Sequence, residues 1–252
     1  MSGSEFDKGR DYARPPIVEA VIERRYTNPI EYNLVNRVRA EFEDEYPAIA
    51  QTAEYSFAFI ADGAPPEFRQ NPLGYRMVSR SGTDVVLATT QTIAFARLAP
   101  YPGWDNFNEA ASAVFGRARK SIGYKPINRL GVRYVNRLDL PEVEGVPLGT
   151  QIADYLRTQP SFSDSMLPFM RGFTLQFGFD VQIPDCTSTM TVATVQSPVP
   201  HHNSVLLDID IGRTTHVPQM ERDIRQLLDQ IRDEKNRVFE SSITDRAREL
   251  FK

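Results

Sequence analysis

Three arginines share one face of a single extended run. In Ile127–Leu138 the apolar positions Leu130, Val132 and Tyr134 alternate with Arg129, Gly131, Arg133, Val135 and Arg137. That alternation is the period-two pattern of a strand with one covered face and one open face. A guanidinium offers two parallel N–H donors to a carboxylate or phosphate. Arg129, Arg133 and Arg137 therefore suit an anionic ligand, a nucleic-acid backbone or an acidic partner. The same spacing also has a structural reading. Glu19 and Glu23 share a face of Ile17–Tyr26, and Asp208 and Asp210 share a face of Val205–Ile211. Arginine opposite a carboxylate across antiparallel strands is ordinary pairing, worth roughly 0.2–1 kcal/mol per pair. If the strands Ile17–Tyr26 and Ile127–Leu138 meet, Glu19 and Glu23 neutralise Arg129 and Arg133. Pairing is the favoured reading and ligand binding the alternative.

Other candidate chemistry is weaker. Asp208 and Asp210 have the spacing for acid–base work, but partners for arginine suit them better. His201-His202, close in sequence to these aspartates, invites a metal reading. Adjacent residues on an extended chain point opposite ways, so a solvated loop is expected and no metal. Cys186 has an acidic neighbour, Asp185, and no nearby histidine, which makes it a poor nucleophile. Trp104, just before a helical pattern, reads as a staple holding that helix to a sheet, with an interface anchor as the alternative. The sequence contains no phosphate-binding glycine loop, dinucleotide fingerprint, nucleophile elbow or paired-cysteine zinc motif. No catalytic residue and no cofactor are assigned.

Composition bounds the class. The chain has 252 residues, 41% hydrophobic and 25% charged, the profile of an ordinary globular protein. A single cysteine excludes an internal disulfide and fits a reducing compartment. Met1–Tyr12 has no apolar core for a signal peptide, and no run approaches the ~20 residues of a membrane span. A cytoplasmic protein without a membrane partner is expected. The net charge of −4 disfavours nonspecific nucleic-acid binding, though a local basic patch remains compatible with it.

The elements that must position these residues follow from periodicity. Residues 1–14 read as a flexible arm. Pro15-Pro16 leads into a strand over Ile17–Tyr26, and Glu31–Tyr46 has apolar residues at helical spacing. Strands are expected at Ala53–Ile60, Tyr75–Arg80, Asp84–Thr89 and Thr92–Leu98, with a Pro-rich loop over Ala64–Gly74 and a hairpin turn at Ser81-Gly82. Asp105–Ile122 is an amphipathic helix. The second part repeats the order: strand Ile127–Leu138, a short helix near Thr150–Arg157, strands Gly172–Val181, Thr187–Val195 and Val205–Ile211, then a long helix after Pro218. Its apolar stripe is Ile224, Leu227, Leu228, Ile231 and Val238, and Ser242–Asp245 resembles a capping box for a last short helix. In Gly172–Val181 the residues Phe173, Leu175, Phe177, Phe179 and Val181 form one apolar face, which helices are expected to cover.

The class expected is α+β, a mainly antiparallel sheet backed by helices on one face. Element order suggests a duplicated β-α-β(3–4)-α unit like that of TATA-binding-protein folds, with halves 15–123 and 124–240 and a C-terminal helix over 241–252. Shape of that kind says little about function.

The segments Arg14–Glu23 (RPPIVEAVIE), Tyr101–Phe107 (YPGWDNF), Ile127–Arg137 (INRLGVRYVNR) and Phe239–Phe251 (FESSITDRARELF) resemble a family of uncharacterised, sporadically distributed bacterial proteins of about this length. The resemblance spans the chain and implies an accessory, defence-linked gene rather than a housekeeping enzyme. It supplies no catalytic residues. Three functions stay open: a binding or regulatory module using the polar sheet face or the Trp104 region for a protein partner or self-association, an enzyme with a small-molecule site between sheet and helices, and a nucleic-acid-associated protein using the arginine row.

Overall fold

The computed structural model describes residues 10, 12–58, 67–158, 160 and 170–252, with side chains described outside 54–58 and 67–71. Alternating runs and helical periodicities become β1 (Ile17–Tyr26), α1 (Tyr32–Phe42), β2 (Ala48–Ala58), β3 (Glu67–Val78), β4 (Asp84–Thr89), β5 (Thr92–Leu98) and α2 (Trp104–Ile122). The chain continues through β6 (Ile127–Pro141), α3 (Leu148–Tyr155), β7 (Thr174–Asp180), β8 (Cys186–Val195), β9 (His202–Arg213), α4 (Glu221–Ser242) and α5 (Asp245–Glu249). The class is α+β, with a nine-stranded antiparallel sheet in the order β2-β3-β4-β5-β1-β6-β9-β8-β7. From β1 the strands run outward as β5, β4, β3, β2, and from β6 as β9, β8, β7, so both series return in reverse chain order.

Two compact units divide the chain: Ile22–Leu98 with Pro102–Arg129, and Met1–Val21 with Ala99–Tyr101 and Leu130–Lys252. The second unit takes in the start of β1 and the segment 241–252.

In the first unit, the register aligns Ile49, Met77, Val86 and Phe95 in one row across β2 to β5. Val35, Val38 and Phe42 of α1, and Phe107, Ala111, Val114, Phe115 and Ala118 of α2, are buried. The Phe107 ring stacks on Phe95 at 5.7 Å between centroids, tying α2 to β5. Arg117 fastens α2 to the end of α1 through Glu41 at 3.1 Å and Glu45 at 3.0 Å, with its guanidinium 4.2 Å from the Phe42 ring centre.

The β2–β3 hairpin overturns one expectation. β3 starts at Glu67, inside the stretch read as a Pro-rich loop, and β2 starts at Ala48 rather than Ala53. A register shift between Thr52 and Ala53 falls opposite Pro72, and such a bulge lets a strand accept proline. Gly74 is required by close approach, since a Cβ there would lie 2.0 Å from the Ala88 carbonyl oxygen.

In the second unit, the inner rows are Val132–Ile211–Ser188, Tyr134–Ile209–Met190 and Asn136–Leu207–Val192. α4 packs on β9 with Ile224, Leu227, Leu228 and Ile231 buried. The buried Asn136 amide donates to the Leu207 carbonyl at 3.0 Å. The end of the expected arm is anchored. Tyr12 donates to Glu240 at 2.7 Å and its ring stands edge-on to Phe251, while the Arg14 amide donates to the Phe251 carbonyl at 3.0 Å.

Two local expectations are corrected here. The cap of α5 is Thr244, whose hydroxyl accepts from the Ala247 amide, whereas Ser242 closes α4 and donates back to Val238. The apolar face of β7 is not fully covered either: Phe177 is 39% exposed and Leu175 and Phe179 are half-buried, because β7 is the last strand of the sheet, beyond β8 and β9. No helix among the described residues is long and apolar enough to cross a membrane.

Candidate functional site

The face of β6–β9–β8–β7 opposite α4 is built by alternation. Its rows are Gly131–Gly212–Thr187–Asp180, Arg133–Asp210–Thr189–Gly178, Val135–Asp208–Thr191–Gln176 and Arg137–Leu206–Ala193–Thr174. Thr187, Thr189 and Thr191 give β8 one polar face while Ser188, Met190 and Val192 stay buried beneath. Thr187, Thr189, Gln176, Gly178 and Asp180 are exposed, so the outer half of this face is open. The glycines at 131, 178 and 212 carry no side chain to roof it.

The arginines of β6 are engaged within the protein. Arg133 forms a two-bond fork on Asp208, with Nε 2.8 Å from Oδ1 and Nη2 2.7 Å from Oδ2. Hydrogen bonding to Asp208 raises the Arg133 pKa most; burial opposes it, and the charges of Asp208, Glu19 and Asp210 add to the rise. Arg137 bonds Asp139, two residues on and on the same face, at 3.0 Å. Asp139 also accepts the Ser204 hydroxyl at 2.5 Å. In the other unit, Arg129 pairs with Glu23 at 2.9 Å, which Arg25 approaches at 3.5 Å. The expected Glu23–Arg129 pair therefore forms, but Asp208 rather than Glu19 takes the guanidinium of Arg133.

After these pairings the second unit's face carries Arg133 and Arg137 against Glu19, Asp139, Asp180, Asp208 and Asp210, a carboxylate excess on a threonine-lined surface. Such a face attracts cations and repels phosphates.

At the end of β8 and the start of β9 lies a cavity of about 330 Å³ lined by Leu148, Arg171, Thr194, Gln196, Asn203 and Ser204. Asn203 donates to Gln151 at 2.8 Å, and Gln151 donates to the Pro141 carbonyl. Sequence reasoning missed this site because its residues come from strand ends, loops and the first residue of α3, which no shared periodicity marks. It also passed over Asp139, although Arg137 and Asp139 stand two apart on one strand.

Trp104 begins α2, is half-buried and stands edge-on to Phe107, three residues on in the same helix, at 6.1 Å. His202 contacts the Pro200 carbonyl at 2.8 Å and His216 meets Asp185 at 3.1 Å. Among the described residues no group of three or more His, Cys, Asp or Glu is arranged to hold a metal ion. Cys186 is buried, and burial pushes its thiol pKa up against the opposing pull of Arg213.

Comparison with protein-family models and with curated proteins returns no match. Among solved structures the chain is similar to the crystal structure of DynU16, from the dynemicin biosynthetic locus, at 13% identity and a TM-score of 0.22, over 93% of this chain and 98% of that one. At that score the likeness says nothing about activity.

Proposed function

We propose that the chain is a binding module of a bacterial accessory, defence-linked system, and that it recognises a protein partner with cationic groups through the open face of β6–β9–β8–β7. The observation that carries this reading is the charge balance of the face: the arginines are held by carboxylates, and further carboxylates stand beside exposed threonines and a glycine-lined floor. Hydroxyls and carboxylates on a flat sheet accept hydrogen bonds from lysine and arginine at little ordering cost, because the sheet is already rigid. A phosphate backbone would have to displace Asp208 from Arg133 and Asp139 from Arg137, so the nucleic-acid reading gains little. Capture from host extract with the wild-type chain and with a Thr189→Arg, Asp180→Lys variant tests the proposal. A nuclease-resistant protein held by wild type and lost by the variant supports it; equal retention by both overturns it.

One observation favours a second reading, a small-molecule site. The cavity at the β8–β9 end joins the Arg171 guanidinium to the amide and hydroxyl groups of Asn203 and Ser204, and its size lies at the lower end of the range for ligand pockets. Thermal-shift screening of small carboxylates against wild type and Arg171→Ala separates the two readings. A ligand lost with Arg171 but kept by the Thr189→Arg, Asp180→Lys variant belongs to the cavity.

A further inference from the structure

A buried amine lies under the opposite face of the same sheet. Lys235 of α4 is only 7% exposed, and its Nζ rests 4.0 Å from the centre of the Tyr134 ring on β6. The Tyr134 hydroxyl meets the Tyr101 hydroxyl at 3.0 Å. Among the described residues Lys235 forms no hydrogen bond or ion pair, its recorded partner being the ring. The charges around it are few. Arg232, one turn earlier on α4, opposes the ammonium, and Glu240 favours it. Glu240 is itself committed to Arg248 at 2.9 Å and to the Tyr12 hydroxyl at 2.7 Å. Burial is the main cause that brings the Lys235 pKa down to about 7, with Arg232 adding to it. Near neutral pH a large share of the molecules therefore carry a free amine, the nucleophilic form.

We propose that Lys235 is a carbamylation site, at which the amine buried against the Tyr134 ring captures carbon dioxide. The Nζ lone pair forms a bond to the carbon of CO2, one C=O π pair moves onto oxygen, and the nitrogen releases a proton to solvent. The product is a carbamate, with no redox change and no further reactant. Arg232, which also pairs with Asp233 at 2.8 Å, is a like charge to the protonated lysine and an opposite charge to the carbamate. With 7% of the residue exposed, a triatomic electrophile fits the approach better than a bulky one. The site is separate from the threonine-lined face and stands whether or not that face binds a partner.

The test uses the intact protein in 13C-labelled bicarbonate, with carbamates fixed by an alkylating oxonium reagent and located by peptide mass spectrometry. The chain's own α-amino group serves as internal control, since its ordinary pKa lets it carbamylate near neutral pH. The expected result is a labelled adduct on Lys235 that rises as pH passes upward through about 7 and falls at least threefold in Arg232→Gln. In Lys235→Met, which keeps the volume and removes the amine, the adduct is absent. An adduct confined to the α-amino group in wild type overturns the proposal.

Discussion

The guanidinium of Arg133 forks on Asp208, which stands one pleat along β9 from Asp210, the direct cross-strand partner of Arg133. The diagonal pair borders the exposed Thr189 and Gly178 of the Asp210 row. It also fixes the sign of the surface, because the most exposed arginine of β6, at 50% side-chain exposure, is already neutralised.

Because Arg133 is half exposed, the pair contributes little to stability. Asp208→Asn is expected to lower the unfolding free energy by no more than ~1 kcal/mol. Urea denaturation of the two proteins checks it, and a larger loss would show the pair to be structural rather than a property of the surface.

The end of the chain is a different matter. Arg248 and Glu240 are 5% and 3% exposed, and Arg248 also donates to the Glu240 carbonyl at 2.8 Å. Arg248→Met strands a buried carboxylate and should cost about 3–5 kcal/mol. Adding Glu240→Leu removes the orphaned charge and should restore much of that loss. A double variant as unstable as the single one would mean that packing, not charge, holds this corner.

Gly74→Ala places a methyl 2.0 Å from the Ala88 oxygen and 2.6 Å from the Thr89 Cα, both backbone atoms of β4 that no rotamer change can clear. A loss of at least ~2 kcal/mol is expected. Gly82→Ala meets nothing within 4 Å and suffers only its positive φ of 76°, so about 1 kcal/mol is expected there. Thermal unfolding of the two variants should rank them in that order.

Lys235 makes stability depend on pH in a defined direction. Its folded pKa of about 7 lies below the ordinary lysine value of 10.5, so between these values the unfolded chain binds more protons. Stability should therefore rise with pH from about 7 upward, and the ammonium's burial cost is fully present below about 7. Lys235→Met should be the more stable protein at pH 6, by a few kcal/mol, with the gap closing as pH rises to about 9. Comparing denaturation midpoints across this range isolates Lys235 from groups common to both proteins.

Alternation and helical spacing made most elements legible. Leu130, Val132 and Tyr134 marked the covered side of β6, and Phe107, Ala111, Val114 and Ala118 marked that of α2. The buried charges of α4 were legible and passed over. The stripe Ile224, Leu227, Leu228, Ile231 and Val238 requires buried residues at 234 and 235, and those are Glu and Lys. Both are buried, Glu234 capping the Gln182 amide at 3.0 Å and pairing with Arg237 at 2.5 Å. Partner choice was harder to read. Arg133 has Asp208, Asp210 and Glu19 as neighbouring charges, and only the side-chain geometry selects Asp208. The cavity at the β8–β9 end draws Leu148 from the start of α3 and Arg171 and Gln196 from loops, which no local pattern connects.

Zero-length carbodiimide cross-linking of the captured complex bears most directly on the function proposed here, because it joins only carboxylates and amines already in contact. The expected result is partner lysines joined to Asp180, Asp210 or Glu19, with the links lost in high salt and in the Thr189→Arg, Asp180→Lys variant. Cross-links confined to the outer side of α4, at Asp229 and Asp233, with none on the sheet face, would contradict it.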